Sequence, residues 1–440
     1  MASQPLRENS RPLPRGLKPR HLPEVDFEAL RIRSQNFRLM LEALRPVTPG
    51  PKKPKIVSTA HGPISKILFT YPAYAAGDYS YREVYADLFK KLPAHTSIVV
   101  LHHGSAEAEL TTAIEQAGVA DRTTAVVAPE HLHFLVWAED PYVVVQDATD
   151  PAAVYFLEPY TFPRASDAVI SDYVLEAAGL RNFQSPLYFQ GGNVLIGDDF
   201  FFIGVDYPAN TLRLIERSGH IIVPPGQRPE DFVRQLYVSS FDPDRRVVYV
   251  GTTLNVPQRQ VRRVTINGQP WSEEIYAGTG IAQPIFHIDM FVSLTGRNER
   301  TGKYRVLVGS PALAAELLGD EAPDQAMAPV FDDIAANLEL QGFEVLRNPL
   351  PLTYVDDTAR RERFWYFATA NNCLVEITAD SKTVWLPTYG HGPWRDLAVV
   401  DRRNKEIWEG LGFRAIELGD FHPFTQGLGA VHCIKKYLAR

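Results

Sequence analysis

Trp408-Glu409-Gly410-Leu411-Gly412-Phe413-Arg414-Ala415-Ile416 reads as the end of a helix, a glycine, and the start of a strand. Gly412 stands where a left-handed residue closes a helix. Apolar and β-branched residues then resume at strand spacing. The same phrase occurs at Ile114-Glu115-Gln116-Ala117-Gly118-Val119, at Ile215-Glu216-Arg217-Ser218-Gly219-His220-Ile221-Ile222 and at Leu340-Gln341-Gly342-Phe343-Glu344-Val345. Upstream of most of these helices lies a hairpin-like pair of strands. The pairs are 142–146 with 153–157, 193–196 with 200–204, 287–294 with 304–308, and 374–377 with 383–387. An early unit runs from a strand at 67–71 through a helix at 81–92 to a strand at 97–101. The repeat is therefore β-β-α-β, and about five copies fit between residue 65 and the end. Such repeats close into a propeller-like ring or stack as a solenoid, an α/β fold in either case.

The bulk numbers are those of a globular protein, with 440 residues, 45% hydrophobic and 22% charged. A net charge of −7, with no basic block longer than Arg402-Arg403 or Lys435-Lys436, argues against a nucleic-acid partner. The only cysteines are Cys373 and Cys433, fewer than a secreted disulfide scaffold carries, so a reducing cytoplasm is the expected setting. The N-terminus lacks a signal-peptide core, and no apolar run reaches membrane-spanning length. Residues 1–26 read as a Pro/Arg-rich arm and 27–45 as a helix docking it. The expected organisation is thus 1–64 as arm plus docking helix and 65–440 as one domain.

The residues that suggest chemistry fall in phase with the repeat, at the start of each unit's first strand. They are Glu139 and Asp140, Gln190 to Asn193, and His287 and Asp289, with Asn371 or Asn372 at the equivalent place in a further unit. Read as a strand, 287–289 puts His287 and Asp289 on one face. That pairing in an apolar strand demands a partner, either as a satisfied ion pair or as a site. Cys433 follows the permissive Gly427-Leu428-Gly429, and on a strand its neighbour His432 points away from it. His102-His103 and His131-Leu132-His133 lack the ligand spacing of a metal site and read as loop or strand-face histidines. The loop 296–303 reads as a solvated hairpin tip, with a lid as the alternative. Tyr389-Gly390-His391-Gly392-Pro393-Trp394-Arg395 reads as a structural turn, with an aromatic substrate wall as the alternative.

Together these segments resemble the guanidino-group modifying enzymes of the pentein fold. These include arginine, agmatine and peptidylarginine deiminases, dimethylarginine dimethylaminohydrolases and amidinotransferases. His287-Ile288-Asp289 resembles their His-x-Asp, and Val431-His432-Cys433 their nucleophile strand. Trp137-Ala138-Glu139-Asp140 resembles their Trp-x-Arg-Asp, and Gln190-Gly191-Gly192-Asn193 their Glu-Gly-Gly-Asn/Asp. The likeness spans about residues 65–440. It implies a five-bladed pseudo-symmetric propeller around a central site. Two departures stand out. Gln190 replaces an acid that bonds the family's histidine, and Glu139 replaces a frequent arginine, adding negative charge beside Asp140 that favours a more cationic substrate.

The resemblance implies that Asp140 and Asp289 grip a guanidinium, whose planar fork suits carboxylates. Gln190, Glu139 and Asn193 would line the same substrate. Cys433 would attack the central carbon and His287 would serve as acid and base. A small-molecule guanidino substrate is implied, with no cofactor, no metal, and a homodimer among the assemblies allowed. Hydrolysis is the preferred outcome, and amidino transfer to an amine the alternative. The same residues would also be compatible with a non-catalytic binding protein. A Cys-His-Asp hydrolase of another fold would leave Asp140 and the repeats unexplained.

Overall fold

The computed structural model describes residues 49–440 except Asp78, 219–221 and 320–324. The arm and docking helix expected within 1–48, and the repeat glycine Gly219, lie outside the described residues. The chain divides into two compact units. One holds residues 49–77, Phe89–Tyr249 and His432–Arg440, and is called the Cys433 unit below. The other holds residues 79–88 and Val250–Val431, and is called the His287 unit.

The described residues of the Cys433 unit form three sheets. In the first, the C-terminal strand Lys435–Ala439 lies antiparallel to Lys66–Tyr71, followed by the parallel strands Ser97–His103 and Thr123–Ala128. The second orders Pro54–Ile56, Val143–Asp147, Asp150–Glu158 and Arg181–Gln184. The third orders Arg246–Val250, Phe200–Gly204 and Val194–Ile196. Alternation along one strand shows how the second sheet is held. Val143 and Val145 enter a core with Tyr155, Leu157 and Phe201. Val144, with Tyr142 just ahead of the strand, enters another core with Phe156, Leu68 and Leu101. Successive side chains on a strand point to opposite faces. This sheet is therefore covered on both, and the near-continuous apolar run Tyr142-Val143-Val144-Val145 is the consequence. Each buried valine contributes roughly 1.5–3 kcal/mol.

The described residues of the His287 unit also form three sheets. Val292–Arg297, Tyr304–Ser310 and Glu344–Pro349 form one, and Leu374–Ile377, Lys382–Thr388 and Arg414–Asp420 another. In both, the first two strands are antiparallel and the third, after a helix, is parallel to the second. The same order holds for Val143–Asp147, Asp150–Glu158 and Arg181–Gln184. In the C-terminal case, Lys435–Ala439 supplies the first strand of a module whose other strands lie near the start of the described chain. Gly118, Gly342 and Gly412 close their helices with φ of 66°, 95° and 85°, the left-handed conformation that glycine adopts without strain.

The sixth sheet was not anticipated. It orders Gln260–Ile266, Gln269–Ile275, Glu362–Phe367 and Leu352–Asp357. Its hairpin turns on Asn267 and Gly268, both with positive φ (50° and 72°), as a tight primed turn requires.

Smaller features resolve directly. The 296–303 loop is a hairpin tip closed by Asn298 N–H to Lys303 O at 2.9 Å and Gly302 N–H to Asn298 O at 2.8 Å. In the 389–395 loop, Asp401 Oδ2 accepts from the backbone N–H groups of Tyr389 and Gly390. There Trp394 is buried and stacks on His422 at 4.0 Å, as a structural turn would have it. Cys373 is buried. Among the described residues, no helix is long and apolar enough to cross a membrane.

Candidate active site

The chemistry-bearing residues sit one step ahead of where strand periodicity puts them. They occupy short turns before each module's first strand. Gly191–Asn193 form a 3₁₀ turn ahead of Val194–Ile196, with Asn193 N–H donating to Gln190 O at 3.1 Å. Ile288–Met290 form another, with Met290 N–H donating to His287 O at 3.3 Å. The strand there begins only at Val292. His287 and Asp289 therefore flank a turn and do not share a strand face. Cys433 likewise lies in a turn before Lys435–Ala439, so the strand argument for His432 pointing away does not hold. His432 is buried, with its ring 6.3 Å from that of Tyr437.

Five of the sequence-assigned residues belong to the Cys433 unit: Cys433, Glu139, Asp140, Gln190 and Asn193. All five are buried. Backbone hydrogen bonds tie their turns together. Glu139 N–H donates to Cys433 O at 3.1 Å, and Gly191 N–H donates to Asp140 O at 3.0 Å. The approach is so close that a Cβ on Gly191 would stand 2.0 Å from Glu139 O and 2.8 Å from Lys436 Nζ. Glycine at 191 is required for lack of space.

Glu139 does not offer free negative charge. Its Oε2 is 2.6 Å from Lys435 Nζ and its Oε1 is 2.9 Å from Lys436 Nζ. The expectation that Glu139 favours a more cationic substrate is corrected by this, since two ammonium groups answer its one charge. Burial pushes Lys435 down to about 8, against the pull of Glu139. Lys435 also packs over the Tyr437 ring at 4.0 Å.

Asp140 is engaged as well. Arg164 Nη2 lies 2.7 Å from its Oδ2, and Arg164 Nε lies 2.5 Å from Asp167 Oδ2. Asp167 Oδ1 accepts from Leu135 N–H at 2.7 Å. Burial raises the Asp140 carboxyl above the usual range, opposed by Arg164, by Lys436 and by the Gly192 N–H. Asp167 is raised by burial too, again opposed first by Arg164.

His287 and Asp289 belong to the His287 unit and are 0% and 1% exposed. The turn is fixed from two sides. Gln283 Nε2 donates to Ile285 O at 2.9 Å and to Phe286 O at 2.6 Å. Thr369 Oγ1 donates to Met290 O at 2.7 Å. The Phe286 ring lies 3.9 Å from the His287 ring. Asn371 and Asn372, one of which the repeat places at the equivalent position of a further unit, have structural bonds. Asn371 exchanges amide hydrogen bonds with Asn348, and Asn372 Oδ1 accepts from Ala430 N–H at 3.0 Å.

Sequence reasoning missed Arg164, Asp167, Gln283, Thr369 and the role of Lys435-Lys436. A buried Lys-Lys pair two residues after a candidate nucleophile was the one visible signal. The histidines near residues 102 and 131 have ordinary roles where bonds are seen: His103 accepts from Ala73 N–H at Nδ1 and donates from Nε2 to Leu132 O. Among the described residues, no group of His, Cys, Asp and Glu is arranged to hold a metal ion.

No protein-family profile matches this sequence, and no curated protein matches it. Solved structures do resemble it. A putative agmatine deiminase solved by X-ray diffraction has a TM-score of 0.57 at 12% identity, over 90% of this chain and 99% of its own. The agmatine deiminase of Enterococcus faecalis has a TM-score of 0.56 at 13% identity, over 89% of this chain and 98% of its own. The chain thus has a mixed α/β fold similar to that of agmatine deiminases, structures of the pentein guanidino-modifying superfamily. Identity this low establishes likeness of fold alone.

Proposed function

We propose that this chain is a guanidino-modifying enzyme of the deiminase type, hydrolysing a C–N bond of an arginine-like guanidinium. One observation carries the reading. In modules of one strand order, the residues suited to guanidino chemistry stand in the same place, the short turn ahead of the first strand. The five modules are read as the five blades of a pentein, and a small guanidino compound as the substrate.

In this reading Asp140 and Asp289 hold the guanidinium. The Cys433 thiolate attacks its central carbon and ammonia or an amine leaves, protonated by His287. A thiouronium intermediate results. His287 then takes a proton from water, whose oxygen replaces sulfur at that carbon, giving the ureido product and free thiol.

The test is mass spectrometry of products from a panel of guanidino compounds, agmatine and arginine among them, with and without amine acceptors. Cys433→Ala should abolish turnover, and His287→Ala should cost about 100- to 10,000-fold. Product formed only with an acceptor would make the enzyme an amidinotransferase. Turnover retained in Cys433→Ala would end the proposal.

A further inference from the structure

The acid assigned to the substrate in the Cys433 unit already holds a guanidinium. Arg164 presents Nη2 to Asp140 and Nε to Asp167, at 2.7 Å and 2.5 Å. The two carboxylates are 4% and 1% exposed, whereas the arginine side chain is 28% exposed. The arginine side chain is thus the most exposed of the three. Asp167 has a second bond, from Leu135 N–H, that does not involve Arg164. Arg164 lies in the loop between the strand Asp150–Glu158 and the short 3₁₀ turn Asp167–Val169, with its guanidinium 5.0 Å from the Phe162 ring centroid. Glu139, the neighbouring acid, is answered by Lys435 and Lys436. Each carboxylate of this cluster thus faces a cation of the chain itself.

We infer that Arg164 sets the affinity of this site by occupying the guanidinium seat on Asp140, so that a ligand enters by replacing it. This rests on the guanidino reading above. The exchange is like for like. A planar guanidinium reproduces the charge-assisted bond that Arg164 gives up, whereas an ammonium, a compact and strongly hydrated point charge, does so poorly. Arg164 therefore weakens all cationic ligands by one common factor, while the preference for a guanidinium over an amine is set by Asp140 itself. The affinity a ligand shows is its intrinsic affinity scaled by the fraction of molecules in which the seat is vacant.

The experiment is calorimetric titration of butylguanidinium and butylammonium in a Cys433→Ala background, which removes turnover. Arg164→Met should tighten butylguanidinium and butylammonium alike, about tenfold or more, and leave the ratio between them unchanged. Because Arg164→Met leaves Asp140 and Asp167 without their shared cation, Arg164→Met/Asp167→Asn is measured beside it. Arg164→Lys keeps the charge but cannot fork to both acids, and should tighten binding by a smaller factor; it decides the matter where the neutral variants fail to fold. Equal or weaker butylguanidinium binding in the folded variants overturns the inference and leaves the guanidino reading standing. Absence of butylguanidinium binding to every protein overturns both.

Discussion

Glu139→Gln tests the buried charge network hardest. The Glu139 carboxylate faces Lys435 Nζ at 2.6 Å and Lys436 Nζ at 2.9 Å, and the two lysine side chains are 0% and 6% exposed. At an effective dielectric of about 20, a contact near 3 Å supplies roughly 5 kcal/mol of attraction. Against this stands the desolvation of each ion, several kcal/mol. Glu139→Gln removes the attraction and keeps the burial, and part of the loss returns as the lysines release protons. The expected cost at neutral pH is that of breaking a buried pair, about 3–5 kcal/mol. Lys435→Met is the opposite case. It leaves one carboxylate with one ammonium and puts an apolar chain of similar volume into a buried site. Its expected effect runs from neutral to a gain of about 1–3 kcal/mol. The pH dependence has a defined sign. Lys435 is pushed down from 10.5 to about 8 in the folded chain. Across that window the unfolded chain holds a proton the folded chain has lost, so this lysine makes stability rise with pH. The rise should be missing in Lys435→Met. Urea denaturation of the three proteins at neutral and alkaline pH, read as midpoints at unchanged slope, measures all of this. A Glu139→Gln cost under about 1 kcal/mol, or an equal cost for Lys435→Met, refutes the reasoning.

Gly191→Ala should destabilise the Cys433 unit by at least the about 1–3 kcal/mol of an overpacked core, because its Cβ meets backbone oxygen at 2.0 Å; urea midpoints test it. The same substitution should change the alkylation rate of Cys433, whose carbonyl is bonded to Glu139 N–H in the turn that must shift. Asp401 is pushed up by burial from 3.8 to about 6. Between those values the folded chain holds a proton the unfolded chain has released, so this group makes stability fall as pH rises. Asp401→Asn keeps an acceptor for the Tyr389 and Gly390 N–H groups, and should flatten that fall in thermal melts between pH 4 and 6.

What the sequence disclosed is what depends on local pattern. Helix, glycine and strand follow one another within about ten residues. The phase of Asp140, Gln190 and His287 relative to the next apolar run is local too. What it withheld depends on pairings across the fold. Glu139 meets lysines 296 and 297 residues away, and nothing near Glu139 announces them. Arg164 and Asp140 are 24 apart, beyond any helical or strand spacing. The turn at 288–290 carries a strand-like pattern because Ile288, Met290 and Val292 alternate. The bonds from Gln283 and Thr369 that hold it as a turn come from outside that window. The sixth sheet did have a local sign, the Asn267-Gly268 turn between two β-rich runs, but that hairpin lies outside the repeating unit.

The most direct test of the central claim is the intact mass of the protein quenched in acid during turnover of a guanidino substrate, followed by peptide mapping. The account predicts an adduct equal to the substrate less its leaving amine or ammonia, on the peptide that contains Cys433. The adduct should be absent in Cys433→Ala and longer-lived in His287→Ala. Turnover with no adduct on Cys433 in either wild type or His287→Ala, and persisting in Cys433→Ala, would contradict it.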